Sequence, residues 1–206
     1  VHMANVNLAI IYYSSTGTNY KMAQWAAEGA KEAGASDVRV LKLRETAPEG
    51  AIDSNPAWRA HVDATKEIPT VTLEDLEWAD AIIWSVPTRF GNVPSQFQNF
   101  IDTTGGLWFQ GKLANKVVSA MASAGNANGG QEVTVHSIYT TMYHWGAIVT
   151  APGFVDQSAY AAGGNPYGTS ATVSQEGEIV EQVEEAVKAQ ARRTTEVAKA
   201  TASLRA

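Results

Sequence analysis

A cluster of small polar side chains follows the first apolar run of the sequence. Residues 8–20 read LAIIYYSSTGTNY and contain no charged side chain. The polar part of this segment consists of Ser14, Ser15, Thr16, Gly17, Thr18 and Asn19. At the start of a helix, free backbone N–H groups and the helix dipole favour an anion, by about 0.3–1 kcal/mol at an exposed site. The segment therefore predicts a binding site for a small anion, and a monophosphate is the natural ligand.

The same segment differs from the common phosphate-binding motifs. A Walker loop ends in Gly-Lys-Ser/Thr, and a dinucleotide fingerprint has three spaced glycines; neither pattern is present here. The low-molecular-weight phosphatases need a cysteine in this loop, and the chain contains no cysteine. An alternative stays open at this point, in which the serines and threonines only cap a helix.

Two further loops carry glycines, small polar residues and aromatic side chains. One reads SVPTRFGNVPSQFQNFIDTTGGLW and follows the third apolar run, and the other reads ASAGNANGGQE and follows the fourth. In a doubly wound parallel sheet, the carboxyl ends of the strands form the ligand-binding edge. The three segments are therefore expected to lie side by side. Backbone groups flanked by aromatic side chains suit a planar ring with polar edges, such as the flavin of FMN.

Conventional catalytic side-chain sets are missing from the sequence. No Ser-His-Asp set is readable, and neither HExxH nor a comparable metal-ligand spacing occurs. We therefore expect no metal site, and we expect the chemistry to come from a cofactor. His61 and His136 have no recognisable partner and are expected to be solvated or structural.

Composition and charge limit the partners of the chain. Hydrophobic residues make up 45% of the 206 residues, and the net charge of −6 includes no basic block. Direct binding of nucleic acid or of an anionic membrane is therefore disfavoured. The absence of cysteine excludes disulfides and thiolate chemistry and suits the cytoplasm, where we expect the protein. No apolar run approaches the ~20 residues of a membrane helix, so an integral membrane protein is not expected.

Apolar runs alternate with helical periodicity along the chain. Continuous apolar runs predict five strands buried on both faces, at residues 7–13, 38–43, 81–86, 116–122 and 147–150. Helices are predicted at residues 20–33 with Asn19 as the cap and Gly34 as the stop, from Pro94 to near Gly105, and at residues 131–145 and 174–204. Repeated strand-helix units predict an α/β fold with a doubly wound, five-stranded parallel sheet in three layers.

Two stretches are longer than the connections of about 2–6 residues that are usual in such a fold. Residues 44–70 and residues 151–173 are therefore interpreted as insertions. Residues 1–3 look like an expression scar, and residues 4–206 are expected to form a single domain.

Taken together, the motifs resemble those of one known family. YYSSTGTN, PTRFGN, GGLW, SAGNANGGQE and GGNPYG are similar to segments of the WrbA family of flavodoxin-like NAD(P)H:quinone oxidoreductases. The resemblance extends by motif from about residue 5 to about residue 168. It implies bound FMN, NADH or NADPH as the hydride donor, a quinone as the acceptor and a homotetramer.

The resemblance also implies which residues form the site. The phosphate site maps to residues 14–19, and the flavin contacts map to Pro87, Thr88, Arg89, Phe90, Gly91 and Asn92. A third loop maps to Ser123, Ala124, Gly125, Asn126, Ala127, Asn128 and Gly129. His144 matches a histidine that the family brings to the flavin. Trp108 matches the tryptophan of the substrate pocket, with Thr16 and Phe90 as further substrate contacts.

The expected reaction follows from this resemblance. FMN takes a hydride from the nicotinamide, and a quinone then enters the same space and accepts two electrons, which implies ping-pong kinetics. Arg89 either stabilises the negative charge of reduced flavin or pairs with a surface carboxylate. Trp108 is expected in a loop at the pocket wall. His144 either only caps its helix or hydrogen-bonds to flavin or quinone as the catalytic residue, across a subunit boundary.

An alternative function uses the same FMN loops. A flavodoxin-type carrier shuttles single electrons to protein partners. Such carriers are usually more acidic and shorter than this chain, which has two predicted insertions. We therefore expect the enzyme rather than the carrier.

Overall fold

The computed structural model describes residues 4–205, and the predicted expression scar at residues 1–3 lies outside the described residues. The strands are β1 (Asn7–Tyr12), β2 (Asp37–Lys42), β3 (Ala81–Pro87), β4 (Val117–Ala124), β5 (Ile148–Val149) and β6 (Ser170–Thr172). They form one sheet in the order β2-β1-β3-β4-β5, and β6 also pairs with β4. Every strand pair in this sheet is parallel.

Helices cover both faces of the sheet. The described α-helices are α1 (Thr18–Glu32), α2 (Glu49–Asp53), α3 (Pro56–Ala64), α4 (Leu73–Trp78), α5 (Ser95–Ile101), α6 (Gly105–Phe109), α7 (Gln131–Trp145), α8 (Ser158–Ala161) and α9 (Glu184–Ala200), followed by a 3₁₀ helix at Ala202–Arg205. None of the described helices is long and apolar enough to cross a bilayer.

Two buried clusters give the fold its three layers. Leu8 and Ile10 of β1 belong to a cluster with apolar side chains of α1 and α9. Ala9 and Ile11 belong to the other cluster, with apolar side chains of α4, α5 and α7. Because successive strand residues point to opposite faces, β1 must be apolar throughout. The predicted α/β fold with a doubly wound parallel sheet in three layers is confirmed.

The predicted number of five strands is wrong. The edge beside β4 is filled by two short strands, since β5 pairs with Val117 and Val118 and β6 pairs with residues 122–124. The second insertion, residues 151–173, follows β5 and contains β6 near its end. The sequence of β6 is only Ser-Ala-Thr, which is too short and too polar to be recognised as a strand.

Three of the predicted helix boundaries are wrong. Helix α1 begins at Thr18 with Gly17 as its N-cap, so Asn19 lies within the first turn and does not cap the helix. Helix α5 ends before Gly105, and residues 105–109 form a separate helix that contains Trp108. The last helix is shorter than predicted, because Val173 and Ile179 pair across a turn instead of being helical. Helix α7 has the predicted bounds.

The first insertion folds into α2 and α3. Arg59 of α3 donates hydrogen bonds to Asp53 at 2.7 Å and to Glu49, which ties the two helices together. In the second insertion, Phe154 and Tyr160 stack with their ring centroids 5.0 Å apart. Both insertions are therefore packed by their own side chains.

Close contact between α1 and α9 requires a glycine at position 29. A Cβ atom at Gly29 would collide with the backbone carbonyl of Lys188. We expect Gly29→Ala to lower the free energy of unfolding by about 1–3 kcal/mol, the usual effect of overpacking. Gly50→Ala is the matched control, because Gly50 also lies in a helix and a Cβ there has no neighbour within 4 Å. Denaturant unfolding measures both variants, and equal stability of the two would contradict this packing.

Candidate functional site

Three loops meet at the carboxyl edge of the sheet. We call residues 14–19 the first loop, residues 87–92 the second loop and residues 123–130 the third loop; they lie at the carboxyl ends of β1, β3 and β4 and include the last residues of β3 and β4. These strands are neighbours in the sheet, and β1 lies where the winding reverses direction. Ligands of doubly wound sheets bind at this switch point. The structure thus brings together the three segments that were predicted to lie side by side.

The first loop presents free backbone N–H groups. Gly17 has a φ of +112°, which an L side chain rarely adopts, and its N–H donates to Ser14 Oγ at 2.9 Å. Within the described chain, no hydrogen-bond partner is found for the N–H groups of Ser15, Thr16, Thr18, Asn19 and Tyr20. The first turn of α1 contains no acidic residue. This loop therefore offers donors and a positive helix end to an anion.

The side chain of Asn19 is directed away from the first loop. Asn19 is 1% exposed, and its Nδ2 donates to Ser85 Oγ of β3 at 3.2 Å. Ser123 Oγ of β4 donates to Asn19 Oδ1 at 2.7 Å. The Asn19 side chain is therefore engaged within the protein, and the Ser123 hydroxyl is used in the same bridge. Both residues position the loops, while the backbone N–H of Asn19 stays free.

The second loop is a tight and strained turn. Arg89 N–H donates to Asn92 O at 2.8 Å, and Asn92 N–H donates to Arg89 O at 3.0 Å. The two residues between them, Phe90 and Gly91, have φ values of +53° and +78°, as in a type I′ turn. Phe90 lacks the freedom of glycine, so its left-handed backbone is strained. Its ring is fully exposed, at 102% of the reference area.

Arg89 brings a positive charge to the first loop. Its Nη2 donates to Ser15 Oγ at 2.9 Å, and its Nη1 donates to Thr88 O at 3.1 Å. The expected alternatives were a position beside the flavin ring and a pair with a surface carboxylate. The structure places the guanidinium against the first loop, and no carboxylate partner of Arg89 is found among the described residues.

The second and third loops are in direct contact. Thr88 N–H donates to Ser123 O at 2.7 Å, and Thr134 Oγ1 donates to Thr88 Oγ1 at 2.8 Å. A Cβ atom at Gly130 would lie only 2.6 Å from Gly91 Cα, so this approach requires a glycine. The tip of the third loop is exposed to solvent, and it consists of Gly125, Asn126, Ala127 and Asn128.

Trp108 and His144 lie together but far from the three loops. Trp108 Nε1 donates to the backbone oxygen of His144 at 2.9 Å. His144 is near the end of α7, and Gln131 at the start of this helix adjoins the third loop. His144 and Gln131 are thirteen residues apart in α7, which corresponds to about 20 Å along the helix axis. Trp108 is half-exposed, and Phe109 and Tyr143 beside it are exposed. Within one chain, these two predicted site residues therefore do not reach the loops.

A hydrogen-bonded cluster around Glu45 was not predicted from the sequence. Glu45 Oε2 accepts from the Tyr13 hydroxyl at 2.9 Å and from Trp58 Nε1 at 3.2 Å, and Oε1 accepts from Gln96 Nε2 at 2.8 Å. The Tyr13 hydroxyl in turn accepts from Ser15 Oγ at 3.4 Å. Burial alone would raise the pKa of Glu45, but these hydrogen bonds and one from Ala47 N–H together lower it. The cluster connects the first loop to the first insertion.

The two histidines that were set aside have different surroundings. His136 is exposed and packs against Tyr167, with ring centroids 4.2 Å apart. His61 of α3 is half-buried, and its Nδ1 lies 3.6 Å from the position that a Cβ atom at Gly17 would occupy. The first insertion therefore reaches the first loop.

The residues of the three loops fit FMN. The free N–H groups and Arg89 suit a phosphate, because both offer donors and positive charge to its oxygens. The second and third loops suit a planar ring, because they present exposed backbone and one exposed aromatic side chain beside the first loop. The absence of a side chain at Gly130 allows these two loops to approach each other closely.

Removing the charge of Glu45 tests whether its hydrogen bonds stabilise the folded protein. Glu45→Gln replaces an oxygen that accepts from Tyr13 and Trp58 with an amide donor, so we expect about 1 kcal/mol less stability at pH 7. Because folding lowers the pKa of Glu45, its contribution is present above its unfolded pKa and is lost as pH falls through the folded pKa. Stability measured by denaturant unfolding should therefore converge with that of the variant in acid. Exposed Glu176→Gln is the control, and a constant difference at all pH values would contradict the role of the charge.

Comparisons with known proteins identify the family of this chain. The family model described as NADPH-dependent FMN reductase matches residues 6–161. A protein of Deinococcus radiodurans named NAD(P)H dehydrogenase (quinone) is 53% identical over 94% of this chain and 96% of its own length. A protein of the same name from Aromatoleum aromaticum is 35% identical over 95% of this chain and 97% of its own length.

Solved structures show the same fold. A flavodoxin, WrbA-like protein from Agrobacterium tumefaciens has a TM-score of 0.64 at 20% identity, over 96% of this chain and 99% of its own. The two-electron reduced flavodoxin of Megasphaera elsdenii has a TM-score of 0.55 at 16% identity, over 92% of this chain and 98% of its own. The predicted flavodoxin-like fold is confirmed. The chain belongs to the NADPH-dependent FMN reductase family, in agreement with its resemblance to the WrbA proteins.

Proposed function

We propose that this chain is an FMN-dependent NAD(P)H dehydrogenase (quinone). The observation that carries the proposal is the row of free N–H groups in the first loop, with Arg89 beside it and the exposed Phe90 turn next to it. The family and the names of the relatives support the same activity. When bound, FMN supplies the redox chemistry, in which NADH or NADPH, one proton and a quinone give the oxidised nucleotide and a hydroquinone.

The first loop holds the phosphate of FMN. A phosphate monoester carries a charge of about −1.5 to −2 at pH 7. Main-chain N–H groups at the start of α1 donate to its oxygens, and the Arg89 guanidinium adds charge-assisted hydrogen bonds. Thr16 and Thr18 contribute hydroxyl groups from the same loop. Asn19 acts through Ser85 and Ser123, because its side chain fixes the loop without contacting the ligand.

The second and third loops hold the ring. The backbone of the Arg89–Asn92 turn and the tip of the third loop offer donors and acceptors to the polar edge of a flavin. The Phe90 ring lies outside the turn and has no packing partner of its own in the described chain, so it is free to contact a flat substrate. A nicotinamide and a quinone would use the same open face in turn, and ping-pong kinetics stay a prediction.

A second copy of the chain completes the pocket in this proposal. Trp108 and His144 lie about 20 Å from the loops of their own chain, and the aromatic side chains beside them are exposed. In a homotetramer, these residues would cover the flavin site of a neighbouring copy. Trp108 would then form a wall of the quinone pocket, and His144 would donate a hydrogen bond or a proton to a quinone oxygen. A cytoplasmic location is also retained as a prediction.

A charge added to the first loop tests phosphate binding. Thr18→Asp places a carboxylate in the first turn of α1, where it repels a phosphate, so we expect FMN affinity to fall about tenfold or more. Exposed Thr140→Asp adds the same charge in the middle of α7 and should leave affinity unchanged. Flavin fluorescence quenching measures both. Wild-type protein that stays colourless with added FMN would overturn the proposal, whereas FMN binding without nicotinamide-dependent benzoquinone reduction would favour the single-electron carrier.

Complementation between copies tests the composite pocket. We expect Thr18→Asp and the double variant Trp108→Ala/His144→Ala to be weakly active when each is made alone. If the pocket combines two copies, co-expression of both variants restores roughly a quarter of the sites by random assembly. Co-expression that restores no benzoquinone reduction would contradict the composite pocket, provided that mass measurement shows mixed oligomers.

A further inference from the structure

The first insertion places one histidine against the first loop. His61 lies on α3, outside every motif that the family resemblance covers. Its ring centroid is 5.9 Å from that of Tyr20, in the first turn of α1, and its Nδ1 lies near Gly17. In the described chain, no hydrogen bond from either ring nitrogen is found. This half-buried imidazole therefore has unused donor or acceptor capacity at the proposed phosphate site.

The surroundings of His61 are polar and carry charges of both signs. A cavity of about 60 Å³ is lined by Tyr12, Tyr13, Ser14, Lys42, Leu43, Glu45, His61, Val62 and Thr65. The buried hydroxyl of Tyr12 has no hydrogen-bond partner among the described residues. Lys42 Nζ donates to Thr65 O at 2.9 Å, and Glu45 accepts from Tyr13. The groups that face His61 are therefore Tyr12 and Tyr13 from β1 and its end, Tyr20 from α1, and Lys42 and Glu45 from β2 and its end.

These groups determine the protonation of His61 in the protein without ligand. Burial lowers the pKa of His61, the charge of Lys42 lowers it further, and Glu45 partly opposes both. Near neutral pH, the imidazole is therefore mostly uncharged. An anion placed in the first loop would favour the charged form instead.

We propose that His61 is an additional FMN-binding residue, whose imidazole hydrogen-bonds to the phosphate in the first loop and becomes positively charged when the phosphate binds. The proposal rests on the proposed function, since it requires FMN in this loop. The phosphate supplies the partner that the ring nitrogens lack, and the ring adds a titratable donor beside main-chain N–H groups, the Thr16 and Thr18 hydroxyls and the permanently charged Arg89. Affinity for FMN would thus depend on pH through a residue of the first insertion.

The sign of the pH dependence follows from linkage. A bound phosphate raises the pKa of His61, so FMN binding takes up a proton between the free and the bound pKa. The contribution of His61 to affinity is present at low pH and is lost as pH rises through the bound pKa. The phosphate itself titrates near pH 6, so only the difference between wild type and a His61 variant isolates the histidine.

The test measures the affinities of full-length wild type, His61→Gln and His61→Lys for FMN and for riboflavin, which lacks the phosphate. We expect His61→Gln to weaken FMN binding about tenfold at about pH 6 and only about twofold at about pH 8.5, while riboflavin binding is unchanged. His61→Lys should retain FMN affinity at both pH values, because a lysine stays charged. His136→Gln is the matched control, as this exposed histidine lies elsewhere on the surface.

The number of protons taken up on FMN binding is a second test of His61 and needs no riboflavin. Calorimetry of FMN binding at about pH 7 in two buffers of different ionisation enthalpy should show a larger proton uptake by wild type than by His61→Gln, and the difference isolates the histidine from the phosphate. Equal losses of FMN and riboflavin affinity in His61→Gln would show a structural role and overturn the proposal, as would unchanged FMN affinity. If wild type itself binds no FMN, the proposed function fails first, which is a different result.

Discussion

One buried side-chain amide determines how the ends of three strands are arranged. Asn19 donates to Ser85 of β3 and accepts from Ser123 of β4, while Ser85 Oγ donates back to Asn19 O at 3.0 Å. An unpaired amide at this depth would be costly, whereas here both ends of the amide are satisfied. The start of α1 is therefore held against β3 and β4 by the protein alone. A ligand meets three loops that are already in place, so little of its binding energy is used to order them.

Local patterns in the sequence were sufficient for strands β1 to β5 and for α7. Strands buried on both faces must be continuously apolar, and α7 lies between Gly130 and Gly146, both of which have a positive φ in the structure. The same rules failed for Asn19, since asparagine near a helix start usually caps the helix and the pattern does not show an inward rotamer. They also failed for β6, which is a strand only because β4 offers an unpaired edge next to it.

The loops of the site could be predicted from the sequence, whereas contacts that depend on how the first insertion and α7 pack could not. The three loops follow consecutive strands of the sheet, so their meeting point follows from topology. His61 lies against the first loop, and Glu45 and Trp58 are linked to it through Tyr13, only because the first insertion packs there. No spacing in the sequence indicates these contacts. Trp108 and His144 were each assigned to the site only through the family resemblance. Their distance from the loops became visible only from the direction of α7.

The turn at Phe90 has a consequence for how this protein can change over time. A left-handed backbone at a bulky residue is disfavoured by about 1–3 kcal/mol, and glycine or asparagine would relieve most of that strain. Selection for thermal robustness alone would therefore tend to remove the aromatic ring from position 90, while selection for substrate handling would tend to retain it. Variants with the ring replaced should be recovered readily in a screen for heat resistance and rarely in a screen for turnover, so the two pressures act in opposite directions on a single codon.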